Sequence, residues 1–141
     1  MWGRLFNRST PTTPESSTML YLSNAFSLNM IPCLQTGHIG LPARITIVPE
    51  LIADLRECLA TTPWTSAIGH ESTSTILSHI LQLPVPTNRI TLLLEPADTL
   101  IIAQYFGPRL PEGATELPPN CFFRFYKVTT EQFQNWNSFS L

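Results

Sequence analysis

The stretch that decides the fold is SAIGHESTSTILSHIL, residues 66–81. A small-residue turn, Ser66-Ala67-Ile68-Gly69, delivers His70 to the start of an apolar-striped segment. Ile76, Leu77, Ile80 and Leu81 recur at helical spacing, so the segment from about His70 to Leu81 reads as a helix with one buried face. A helix start exposes unpaired N–H groups and partial positive charge, which suits an anion such as phosphate. A histidine there can bind that phosphate or pass it a proton. The plain alternative is a histidine that merely opens a surface helix. Glu71 either stabilises the helix start or holds His70, and both readings stand. His79, late in the segment, reads as a C-terminal histidine favourable to the helix dipole.

Working outward, the helix sits among β-prone runs. Upstream, ARITIVP (43–49) alternates as a strand. Pro49 is expected to open a first helix, PELIADLRECLA, with Leu51, Ile52, Leu55 and Leu59 on its stripe and Thr61-Thr62-Pro63 as its stop. Before that, MLYLSNAF from Met19 reads as a first strand ending in an Asn/Ser run. That run reads first as a turn bonded to its own backbone, and second as a set of donors and acceptors for a ligand. Downstream, Asn88-Arg89 opens ITLLLE (90–95), whose near-continuous apolar run predicts a central strand covered on both faces. TLIIAQYF (99–106) follows a short turn, which predicts an antiparallel hairpin with it. GPRLPEG (107–113) is a loop presenting Arg109 and Glu112, and CFFRFYKV (121–128) is the final strand. The sum is one small α/β domain, residues 19–128, with a mixed, mostly antiparallel sheet of about five strands and two main helices. Residues 1–18 read as an N-terminal extension and 129–141 as a C-terminal tail, either a short helix or loose. No glycine-rich nucleotide fingerprint follows a strand.

Composition narrows the function. A chain of 141 residues at 43% hydrophobic fits one domain with a real core. Net charge is −2 with eight Lys plus Arg, which argues against a broad groove for long nucleic acid but not against a compact phosphate ligand. Charged residues make up only 13%, so the apolar surface left over suits a partner subunit. Cys33, Cys58 and Cys121 are scattered and odd in number, which suggests neither a disulfide framework nor a zinc site and fits a reducing cytoplasm. No apolar run approaches the ~20 residues of a membrane span, and no signal peptide is expected.

The polar residues at element ends are Asn24, Ser27, Asn29, His70, Arg89, Gln104, Arg109 and Glu112. They comprise amides, one proton carrier and two guanidiniums, with no Ser-His-Asp set and no carboxylate cluster for magnesium. Such a set suits a polyanionic ligand with hydrogen-bonding bases, because the arginine fork matches phosphate.

At this point YLSNAFSLNM, SAIGHEST, the opening NRI and the loop RLPEG, in that order, resemble the viral ring-nuclease family. These are type III anti-CRISPR proteins that destroy cyclic tetra-adenylate. The blocks span most of Met19 to Val128. The resemblance implies a homodimer with the cyclic ligand across its two-fold axis, under closing loops, and no cofactor or metal. It implies catalytic roles for His70, Arg109 and Glu112, and ligand contacts from Asn24, Ser27, Asn29, Arg89 and Gln104. His70 would be general acid and Arg109 the stabiliser of phosphoryl charge. Glu112 either holds Arg109 or touches a ribose hydroxyl. Three features depart from the family pattern. YFGP between Gln104 and Arg109 is one residue longer, ATELPPN cannot form the acidic helix often found after the loop, and residues 1–18 have no counterpart. Two other functions fit the same residues: a non-catalytic sponge for a cyclic nucleotide, and a protein-interaction module in which His70 is structural.

Overall fold

The computed structural model describes residues 18–140. The expected N-terminal extension therefore lies, but for its last residue, outside the described residues. Strand β1 (Leu20–Ser23) is followed by two short 3-10 helices, Leu28–Met30 and Pro32–Gln35. Then come β2 (Ala43–Glu50), α1 (Ile52–Thr61), β3 (Thr65–Ser66), α2 (Glu71–Leu81), β4 (Thr99–Phe106), β5 (Phe122–Gln132) and a last 3-10 helix, Trp136–Ser138. The sheet order is β2-β5-β4-β1-β3. β1 runs parallel to both β3 and β4, while β5 runs antiparallel to β2 and β4. The expected fold class, a single small α/β domain with a five-stranded mixed sheet and two helices, is what the chain adopts.

Strand alternation sends side chains to two faces, and each face has its own core. On one, Leu22, Ile101, Ala103, Phe123 and Phe125 meet Leu55 and Leu59 of α1 and Ile76, Leu77 and Leu81 of α2. Arg56 fastens the two helices, donating from Nε and Nη2 to the Ile80 carbonyl at 3.0 and 2.8 Å. On the other face, Leu100, Ile102 and Val128 meet Ile31, Leu92 and Leu94.

That second core corrects the strand expected at ITLLLE. Residues 90–95 join no sheet. They lie extended across the face, with Leu92 and Leu94 buried and Ile90 and Leu93 exposed. Scattered bonds satisfy this backbone: Leu94 N–H donates to the Met30 carbonyl at 2.7 Å, and Gln132 Nε2 donates to the Leu94 carbonyl at 2.7 Å. An apolar run reports burial, and a layer over a sheet is buried as well as a strand within one. β4 accordingly takes β5, not residues 90–95, as its antiparallel partner.

Pro49 is the last residue but one of β2 and opens no helix; paired with Tyr126 in the ladder, it sits on the edge strand, where a missing N–H is tolerated. Leu51, with 71% of its surface exposed, and Ile52 precede the buried stripe of α1 and do not belong to it. β5 runs four residues past Val128, and Phe133 N–H then donates to the Pro42 carbonyl, so the beginning of the expected tail is sheet.

Candidate functional site

Because β1, β3 and β4 run parallel, their carboxyl ends emerge on one edge of the sheet. Asn24 follows β1, Gly69-His70 follows β3 and Tyr105 to Arg109 closes β4. An α/β sheet gathers its ligands at such an edge. Here a cavity of about 680 Å³ opens, lined by Asn24, His70, Thr73, Tyr105, Arg109 and Glu112, with Ser72, Leu110, Pro111 and Phe123 completing the wall.

His70 is the N-cap of α2, with extended backbone (φ −125°, ψ 135°). Its carbonyl accepts the first helical bond from Ser74 N–H at 3.0 Å, while its imidazole makes no capping bond. The ring is thus free to face the cavity, and the first-turn N–H groups of the helix have no intrahelical acceptor. Arg89 braces the turn from outside, donating from Nε to the Gly69 carbonyl at 2.8 Å. His70 and Arg89 also share a second, shallower cavity of about 460 Å³ with Ala67, Gly69, Ile90 and Thr91. His70 therefore stands between two hollows.

The turn that aims His70 is built on buried Ser66. Its hydroxyl donates to the Pro86 carbonyl at 2.6 Å and accepts from Ile68 N–H at 3.2 Å, while its carbonyl accepts from Asn88 Nδ2 at 2.7 Å. Ala67 N–H donates to the Leu22 carbonyl, Asn88 N–H to the Ile68 carbonyl, and Thr87 Oγ1 to Ser74 Oγ at 3.1 Å. Opposite lies the loop after β4. Tyr105 Oη donates to the Pro108 carbonyl at 2.6 Å, Ala114 N–H to the Pro111 carbonyl at 3.1 Å, and Leu110, Ala114 and Leu117 rest half-buried on the helix-side core.

Of the residues expected at the site, Asn24, His70, Arg109 and Glu112 come together in the large cavity, and Arg89 joins His70 in the second. Ser27, Asn29 and Gln104 line neither. Ser27 caps the first 3-10 helix, its hydroxyl accepting from Asn29 N–H at 3.2 Å, which is the turn reading of that run. Gln104 is exposed on the face away from the helices, its amide donating to the neighbouring Tyr105 carbonyl. Ser72, Thr73, Tyr105 and Phe123 were not anticipated. Ser72 and Thr73 lie in the first turn after His70, and the helix start is their signal in the sequence. Tyr105 and Phe123 are strand residues of the helix-side core, and only the fold reveals that this core opens into the cavity. Among the described residues, no three His, Cys, Asp or Glu side chains come together.

Fold and cavity define a small mixed α/β domain with a pocket at the carboxyl edge of its parallel strands. Residues 20–120 match the family described as STIV B116-like, and the chain belongs to that family. It is similar to "Uncharacterized protein 26" of Sulfolobus islandicus filamentous virus (isolate Iceland/Hveragerdi), with 32% identity over 95 residues that cover 67% of this chain and 74% of the relative. Among solved structures it is similar to B116 of Sulfolobus turreted icosahedral virus, at TM-score 0.61 and 25% identity, covering 79% of this chain and 98% of that one. The family is thus one of viral proteins. Among the described residues, no helix is long and apolar enough to cross a membrane.

Proposed function

We propose that this protein is a ring nuclease that opens cyclic tetra-adenylate to linear di-adenylates and so suppresses type III CRISPR signalling in the host cell cytoplasm. The observation that carries the reading is the meeting of His70 and Arg109 in one cavity, with Asn24 and Glu112 beside them. A ribose 2′-hydroxyl loses its proton to water as its oxygen attacks the adjacent phosphorus, the bond from phosphorus to the 5′-oxygen breaks, and His70 gives that oxygen a proton and is reprotonated from water afterwards. The nucleophile belongs to the ligand, so the protein's main task is to hold it in line, which is worth up to ~7–11 kcal/mol in ideal cases. Proton donation adds typically ~10²–10⁴ in rate. Arg109 stabilises the charge that builds on the phosphoryl oxygens. The products end in a cyclic 2′,3′-phosphate, which water opens in some of them to a linear phosphate.

A ring with two-fold symmetry is met by two copies of one surface, so the working form is a homodimer. Ile47, Leu93, Phe106 and Phe122 are about half-exposed on the side of the sheet away from the helices, and such apolar surface supports a partner there. The test is incubation with cyclic tetra-adenylate in excess EDTA, with products separated by chromatography, beside His70→Ala. Wild type is expected to cut, and the variant to bind without cutting. Stoichiometric ligand loss with no linear product would replace the nuclease with a sponge. An absence of ligand-induced rise in Tm would leave only an interaction module.

A further inference from the structure

Between Gln104 and Arg109 this chain carries Tyr105-Phe106-Gly107-Pro108, a segment longer than the resemblance leads one to expect. The added length should loosen the loop that bears Arg109. The geometry points instead to a clasp: Tyr105, with Cys121 beside it, is a positioning residue that fixes the backbone from which Arg109 reaches into the cavity.

Three observations meet at this point. Tyr105 Oη donates to the Pro108 carbonyl at 2.6 Å, and that carbonyl belongs to the peptide unit joining Pro108 to Arg109. A peptide unit is planar, so holding its oxygen sets the direction in which Arg109 leaves. Tyr105 is itself anchored, because it stands in β4 opposite Phe123 of β5 and its ring lies 5.5 Å from that of Phe123. Second, Gly107 leaves the room for the clasp. A Cβ on Gly107 would lie 2.6 Å from Cys121 Sγ and 2.8 Å from Tyr105 Oη, so any side chain there would drive them apart. Third, Cys121 holds the other end of the loop, its N–H donating to the Pro118 carbonyl at 3.3 Å and its thiol to the Pro119 carbonyl at 3.6 Å. Both ends of residues 107–120 are thereby gathered at the start of β5, and the extra length is taken up next to Gly107.

The clasp is tested with Tyr105→Phe, which keeps the ring and removes the donor, and with Gly107→Ala, which wedges the pair apart. The first measurement is amide hydrogen exchange over residues 107–113, which needs no ligand and no activity. Loss of one hydrogen bond is expected to speed it about threefold to tenfold, with Tm nearly unchanged. Cys121→Ser, which keeps a hydrogen-bonding group, is expected to match wild type within about twofold. The second measurement rests on the nuclease reading: kcat on cyclic tetra-adenylate falls by a similar about threefold to tenfold factor with KM held, and no further loss appears when Arg109→Ala is already present. Unchanged exchange in both Tyr105→Phe and Gly107→Ala overturns the clasp. A full additional loss in the Arg109→Ala background overturns its action through Arg109. If wild type does not turn over, the nuclease reading fails and exchange alone decides the clasp.

Discussion

His70 and Arg109 face the same cavity from supports of opposite character. The His70 turn is held by a dense set of bonds. Ser66 uses both its hydroxyl and its carbonyl, and Asn88 bonds through side chain and backbone. Ile68 pairs with Thr87, and α2 begins at once and buries Ile76 and Leu77. The Arg109 loop runs from Gly107 to Asn120, mostly exposed, with only a few bonds along it and three half-buried apolar anchors. Few buried contacts and exposed backbone are what place a segment at the low-stability end of a structure. The contrast suits the proposed chemistry. A proton donor has to stand where the leaving oxygen will be, so it benefits from a rigid mount. An arginine that clamps a bulky ring must let the ring enter first, so it benefits from a loop that can open, with the Tyr105 bond to Pro108 setting the direction to which Arg109 returns.

The largest expected effect tests whether the rigid side carries chemistry. His70→Ala should cut turnover by ~10²–10⁴ and leave stability within about 0.5 kcal/mol, because the exposed imidazole makes no capping bond. Arg109→Ala should cost ~10²–10³ in kcat, again with little change in Tm. Single-turnover rates beside thermal melts check both. If both variants melt with wild type and retain full turnover, neither side of the cavity is catalytic and the contrast loses its functional meaning.

Next come the effects on folding. Leu77→Ala removes a fully buried side chain under α2 and should cost about 2–5 kcal/mol, measured by denaturant unfolding. Leu110→Ala, half-buried in the loop, should cost less than half of that. Equal costs would mean that the loop is as integral to the fold as the helix. Ser66→Ala should cost about 1–3 kcal/mol, since it strips an acceptor from Ile68 N–H in a buried turn. It should also lower turnover, because that turn aims His70. A Ser66→Ala variant that melts with wild type would show that the remaining bonds of the turn suffice without it.

The same contrast explains what was legible in the sequence. The rigid side was largely readable, because a 3.6-residue period and a small-residue turn are local signals, and α2 lies within a residue of where they put it. The meeting of His70, Arg109 and Glu112 was available only through the family pattern, for no local rule joins residue 70 to residue 109. The run ITLLLE misled because apolarity reports burial without saying whether the backbone pairs. Pro49 misled because its fixed φ serves a helix start and an edge strand equally. Tyr105 was hidden as an ordinary strand aromatic. Its role depends on Gly107 and Cys121 approaching it, and the two stand at opposite ends of a loop.

The smallest expected effect is the finest probe of the difference. Gly113 sits in the loop at φ +79°, with no atom within 4 Å of where a Cβ would be. Gly113→Ala therefore meets no clash and adds only the strain of a left-handed backbone, about 1 kcal/mol. Where that energy shows depends on coupling. In a loop that opens on its own, local opening relieves the strain without global unfolding, so amides near Gly113 exchange far faster than those of the core. Gly113→Ala should then quicken that local exchange about fivefold, the equivalent of ~1 kcal/mol, beside a fall in Tm of about 2–4 °C. Were the loop as firmly integrated as the His70 turn, Tm would fall by a similar amount, but amides near Gly113 would exchange only together with the core, through global unfolding. That outcome would make Arg109 as fixed as His70, and ligand entry would then require an opening elsewhere in the molecule.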